Sequence, residues 1–383
     1  MANGVQIERV GIGDSEIFFG YFDSNPLNAS GNKLLAHRVS HDQCEVIVFN
    51  LETQKIEFSV ATSLWNYQQG SRAQWLSHES KKICYNNLDT GNNPITVVHD
   101  LEMGGATHYP NLFQSIDPSG ENLYHVDYQV ISRLNSEYGY SYFSESGHTN
   151  REDTIVDVIG IQKTVLKTGD MENLYSLRTI ASFENHSSMS VENSEINHIA
   201  ISPSGRGVAF VHRWYPERGH RKSRLLLGDS GGGAIRVLLD EGMISHYTWL
   251  NDDTLFAYGK HSGRAKFISI SLGHAKVSIV EHEKLQTYGD GHPTYSQENG
   301  WLAIDTYPDS RRYQHLLLYQ PKTMEVIPIG KFRSPFYFRE QNRCDLHPRW
   351  NHDGRKLVID TSNEGIRTIK ILSIESILNI KYD

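Results

Sequence analysis

Four histidines stand at matching places in consecutive stretches of the chain: His198 in INHIAIS, His246 in SHYTW, His292 in GDGHPTYS and His347 in RCDLHPRW. Asp345 lies two residues before His347, so on extended backbone the two side chains share a face. Two imidazoles (His292 and His347), the Asp345 carboxylate and Asn342 as a fourth, oxygen ligand make a candidate divalent-metal set. Mixed nitrogen and oxygen ligation without thiolate suits Mn²⁺, Fe²⁺ or Zn²⁺, leaves Ca²⁺ open, and does not by itself choose among them. Alternation turns Cys344 away from the set. His246, one stretch earlier, is a candidate general base, because an unperturbed imidazole titrates near neutrality. Arg224, opening a strand in RLLL, is placed to hold a substrate carboxylate. A single histidine at such a position is as often a structural hydrogen bond as a ligand. Four in register, one with an acid beside it, favour a shared site.

The elements that must position these residues come from a repeat. A turn of the type Ser/Asn–x–Asp/Ser–Gly followed by a β-rich run recurs at NASGNKLLAH (28–37), DPSGENLYHV (117–126), SPSGRGVAF (202–210) and NHDGRKLVID (351–360). Weaker copies are SHESKKICYN (77–86), NDDTLFAYG (251–259) and SQENGWLAID (296–305). This periodicity predicts an all-β fold, a seven-bladed β-propeller of four-stranded blades. The reading takes 1–383 as one domain, with an extended insertion in blade three around 132–185. In such a fold the loops before the first strand and after the second strand of each blade gather on one face. The first set offers Gln69 (in WNYQQGS) and His198; the second offers Arg213, Tyr307 and Arg311, and the blade-three insertion adds Arg133 and Tyr140. Arginines interleaved with aromatics suit an anionic, ring-shaped ligand, and these seven residues are the expected substrate contacts. For any one of them a solvated loop is the plainer account.

Composition narrows the classes. The 383 residues carry a net charge of −8 without a Lys/Arg tract, which argues against nucleic acid as partner. Three widely spaced cysteines, Cys44, Cys84 and Cys344, form no disulfide framework. No apolar run reaches membrane-spanning length and the N-terminus has no apolar leader core, so a cytoplasmic protein is expected. Nucleophile elbows, P-loops and dinucleotide fingerprints are absent. The glycines of GDSGGGA (228–234) read as a hairpin with no helix after it, which is unlike a phosphate cradle. Oligomeric state is not legible.

A metal and an arginine on a carboxylate, with a base beside them, fit β-elimination from a uronic acid. The C5 proton is removed and the C4 glycosidic bond breaks. At this point 197–365 resembles oligogalacturonate lyase, polysaccharide lyase family 22. The resemblance implies a cytoplasmic seven-bladed propeller using Mn²⁺, with His246 (SHYTW) as base, Arg224 (SRLLL) on the substrate and His292 (GHPTYS) as ligand. In NRCDLHPRW, Asn342, Asp345 and His347 fall where the family has glutamine, histidine and a histidine followed by proline. Two of the four ligands thus depart from the pattern, which points to a divergent branch acting on another acidic oligosaccharide. The alternatives on the same platform are a non-catalytic glycan-binding or assembly propeller, or a uronate-acting hydrolase or epimerase.

Overall fold

The computed structural model describes residues 1–2, 4–77, 81–145 and 159–379. Its strands form seven four-stranded antiparallel sheets, each a meander of neighbouring strands, and the fold is a seven-bladed β-propeller. The Gly-containing turns join the first and second strands as the repeat predicts. Ser202 N–H bonds to Gly207 O (2.8 Å), with Gly205 at φ +78°, and Asn351 N–H bonds to Lys356 O (3.0 Å), with Gly354 at φ +68°. A left-handed residue is what these turns require and what glycine supplies without strain. The seventh sheet is completed by the N-terminal strand Gln6–Val10, which pairs with Thr368–Ser373 in the register Gln6↔Ser373 to Val10↔Ile369.

The chain divides into two compact units. The first comprises 1–92, 97–108 and 282–383 and holds blades one, two, six and seven; the second comprises 93–96 and 109–281 and holds blades three to five. The blade-three insertion contributes helices Tyr128–Leu134, Ser141–Glu145 and Leu177–Ser182, and part of it (146–158) lies outside the described residues.

Central strands are covered on both faces, so they read as continuous apolar runs rather than alternating ones. Gly207–Trp214 (GVAFVHRW) is buried at every position after its first. Within the first unit, Trp301, Leu318, Trp350, Leu357, Ile359 and Leu372 pack blade six on blade seven. Within the second, Val211, Leu225, Trp249, Leu255 and Ile268 do the same for blades four and five. A tryptophan late in the first strand stitches successive blades: Trp75 Nε1 donates to Pro26 O, Trp249 to Ala200 O and Trp350 to Thr294 O, at 3.1–3.2 Å. Each indole buries its area and still satisfies its N–H. Among the described residues no helix is long and apolar enough to cross a membrane.

Candidate metal centre

In the first unit His292 stands immediately before the first strand of blade six, Pro293–Tyr295, and His347 two residues before that of blade seven, Arg349–Trp350. His292, Asp345 and His347 are all buried, and their candidate ligand atoms lie within 4.8 Å of one another. Among the described residues this is the one grouping of three or more His, Cys, Asp or Glu side chains suited to a metal ion. The two rings meet edge to face with centroids 4.4 Å apart.

A residue not anticipated from the sequence organises both histidines. Asp305, ending the second strand of blade six (Leu302–Asp305), accepts from the His292 backbone N–H (2.7 Å) and from its ring Nδ1 (2.9 Å). Its other oxygen accepts from the His347 N–H (2.9 Å). Gly291 makes this approach feasible: a Cβ there would lie 1.8 Å from Asp305 O. The His347 ring donates from Nδ1 to Gly20 O (2.7 Å). Gly20 is itself held, its N–H and that of Phe19 bonding to Asp360 (3.3 and 3.0 Å). A carboxylate and a carbonyl can only accept, so both rings carry their proton on Nδ1 and present Nε2 as the lone pair, the arrangement metal-bound imidazoles need. His347 Nε2 is buried without a hydrogen-bond partner and lies 4.0 Å from Asp345 Oδ2.

The protonation states agree. Burial lowers His292 to about 4 and His347 to about 3, so both are neutral at pH 7. Burial alone would raise Asp345, but the adjacent Arg343 guanidinium leads the effects that outweigh it and hold the carboxyl below its ordinary value. Burial raises Asp305 to about 6. Two neutral Nε2 donors and an ionised carboxylate in a dry setting fit a divalent cation. Arg343 donates from Nε to Asp345 (2.5 Å) and from Nη2 to Gln68 Oε1 (3.0 Å), and lies over the Tyr307 ring (5.3 Å).

The remaining expectations in this unit divide. Tyr307 is beside the set, its ring 5.6 Å from that of His292. Gln69 is buried and its backbone carbonyl lies against Gly20. Arg311 is an exposed residue of the turn before Tyr313, with its backbone N–H on Asp309. Asn342 requires correction as a fourth ligand: its carboxamide oxygen accepts from Arg367 (2.7 Å) and its amide donates to Tyr337 O (3.1 Å).

In the second unit His198 and His246 occupy bulges in the first strands of blades four and five, with rings 5.6 Å apart. Arg213 Nη2 donates to His198 Nε2 (2.6 Å), and Arg213 pairs with buried Glu195 (3.6 Å) and lies over Tyr138 (5.5 Å). His246 Nδ1 is bonded to Ser245 Oγ (3.0 Å). Tyr140 is a core residue stacked on Tyr128 at 4.7 Å, and Arg133 is exposed in the last turn of its helix. Arg224 is the largest correction. Fully buried, it donates to His212 Nδ1 (3.1 Å), Glu184 O (2.9 Å), Ile180 O (2.9 Å) and Phe183 O (2.8 Å), with Asp240 at 3.7 Å. It caps the C-terminal end of Leu177–Ser182, and its donors are spent there rather than on a substrate.

No protein-family model and no curated protein matches the chain. Solved structures do. An oligogalacturonate lyase from Vibrio parahaemolyticus superposes with TM-score 0.67 at 14% identity, covering 97% of this chain and 94% of that one. The chain shares that fold. An oligogalacturonate lyase in complex with manganese gives TM-score 0.68 at 13% identity, with 98% and 94% covered. The β-propeller domain of the Trilobed protease from Pyrococcus furiosus gives 0.54 at 10% identity, with 93% and 94% covered. The similar structures thus include both a lyase and peptidase domains.

Proposed function

We propose that the chain is a metal-assisted lyase that cleaves an acidic, uronate-containing oligosaccharide by β-elimination. The observation that supports it is the convergence of His292, His347 and the Asp345 carboxylate in one buried cluster, with the two ring tautomers set by Asp305 and Gly20. These three residues would hold a divalent ion, Mn²⁺ first among the candidates, which when bound supplies Lewis-acid polarisation of a substrate carboxylate. Arg343 keeps Asp345 ionised, and the Tyr307 ring beside it is suited to covering a sugar face. In this reading a base takes the C5 proton, the electron pair forms the C4–C5 double bond as the C4–O bond breaks, and the leaving sugar oxygen takes up a proton. The sequence-based expectation for that base is His246. Arg224 has no part in this reading.

The test follows ultraviolet absorbance of the unsaturated product over a panel of uronate oligosaccharides. Absorbance should rise with Mn²⁺, vanish on chelation and be absent in His347→Ala. A protein that binds Mn²⁺ yet leaves every acidic glycan intact overturns the lyase reading. It would leave a glycan-binding propeller, the second reading, which the structural commitment of Arg224 favours.

A further inference from the structure

Immediately before the candidate ligands Asp345 and His347, blade seven is entered through RSPFYFREQNR (333–343), where two large aromatic side chains face solvent. Phe336 is 73% exposed and Tyr337 54%. Adjacent rings so open to water need a reason, because exposed apolar area of this kind marks contact sites. Neither ring is loose. Arg312 lies over Phe336 at 5.7 Å. Tyr337 donates its hydroxyl to Gly365 O and rests on the buried ring of Phe338, centroids 4.4 Å apart. Phe338 is in turn covered by the Arg367 guanidinium at 5.0 Å.

The pair is tied to the candidate metal centre through a short path. Tyr337 O accepts from the Asn342 side chain, and the next residue, Arg343, carries the guanidinium that bonds to Asp345. The surroundings are basic in a protein of net charge −8: 309–313 and 331–343 hold six Arg or Lys against two acids. Among these, Arg311, Lys331, Arg333 and Arg339 are exposed.

We infer that Phe336 and Tyr337 form a distal subsite of the site proposed above, binding the outer residues of an anionic oligosaccharide. This inference rests on that reading. Rigid aromatic faces stack on sugar rings at little conformational cost, and the surrounding guanidinium and ammonium groups pair with the carboxylates between them. Chain length is then read here, away from the bond that breaks.

The test compares galacturonate and glucuronate oligomers of two and six residues by calorimetry on the intact protein, in the wild type and in Phe336→Ala/Tyr337→Ala. The wild type should bind a six-residue oligomer more tightly than its two-residue counterpart. The double variant should lose about tenfold or more of affinity for the longer oligomer while retaining that for the shorter. Thermal melting and Mn²⁺ affinity equal to wild type show that the variant is folded. Tyr337→Phe, which keeps the ring, should bind the longer oligomer as the wild type does. Equal weakening for both lengths, or no change, overturns the subsite and leaves the lyase reading standing. A wild type that binds none of the oligomers overturns both. A wild-type dimer that the double variant breaks without altering oligosaccharide affinity shows a second copy to be the occupant, and also overturns the subsite.

Discussion

His347 and His198 each belong to a histidine pair, each sits at the entrance of a blade, and each adopts a left-handed backbone (φ +45° and +52°) that non-glycine residues rarely occupy. Their surroundings then diverge. In the first unit the acceptors Asp305 and Gly20 O fix protons on Nδ1, and Asp345 adds negative charge, so the lone pairs converge where a cation is needed. In the second unit the ring nitrogen of His198 accepts from Arg213, and the nearby carboxylate, Glu195, is paired with the same arginine. There the protein supplies its own cation. One backbone position thus yields a candidate metal centre or an arginine-filled polar cluster, according to whether donors or acceptors surround the imidazole.

That contrast can be broken most severely at the ligands. His347→Ala or Asp345→Asn should weaken Mn²⁺ binding by about a hundredfold or more in calorimetry, since one removes a candidate ligand and the other the only carboxylate charge among the three candidates. Arg213→Ala should leave Mn²⁺ affinity as in wild type, and a comparable loss there would erase the distinction between the two units. Asp305→Asn keeps the size but not the double acceptor, and should cost about ten- to a hundredfold in Mn²⁺ affinity, with a changed cobalt(II) absorption spectrum reporting the displaced rings. An unaltered spectrum and affinity would reduce Asp305 to a blade latch.

Arg224→Ala should act on stability rather than substrate, costing about 3 kcal/mol or more as four acceptors, two of them buried, lose their donor. A variant that melts like wild type but loses turnover would return Arg224 to catalysis. A separate effect is on pH. Burial lowers His37 and His125 to about 4 and His212 to about 3 from 6.5, so below about pH 6.5 the unfolded chain takes up protons that the folded one refuses. Stability should therefore hold above pH 6.5 and fall from there toward pH 4, by on the order of 1.4 kcal/mol per pH unit for each histidine. Asp305, raised from 3.8 to about 6, opposes this slope between those values. Urea midpoints across this range check the sign, and a rise on acidification from pH 6.5 to 6 would refute it.

The repeat was legible because its turns depend on local backbone chemistry: glycine at a left-handed position, with Ser or Asn closing the loop. The histidine register was legible for the same reason, since it counts from those turns. Asp305 was missed although a signal existed. The runs WLAID (301–305) and KLVID (356–360) end in aspartate, where the corresponding runs of blades one, three and four carry His37, His125 and His212. All five are buried polar groups, and only the aspartates can accept from two neighbours at once. Arg224 was misread because three of its four acceptors are carbonyls, which are the same in every sequence. A helix end forty residues upstream could be found only once the chain had folded.

The pairing of Gln6–Val10 with Thr368–Ser373 has a practical corollary. Clipping the first ten residues would strip the outer strand from the very sheet that carries Asp345 and His347, leaving a row of open amides and carbonyls ready to recruit another chain. Preparations nicked near Val10 should self-associate before they lose their secondary structure, so an intact leading segment is a condition for every assay of this protein.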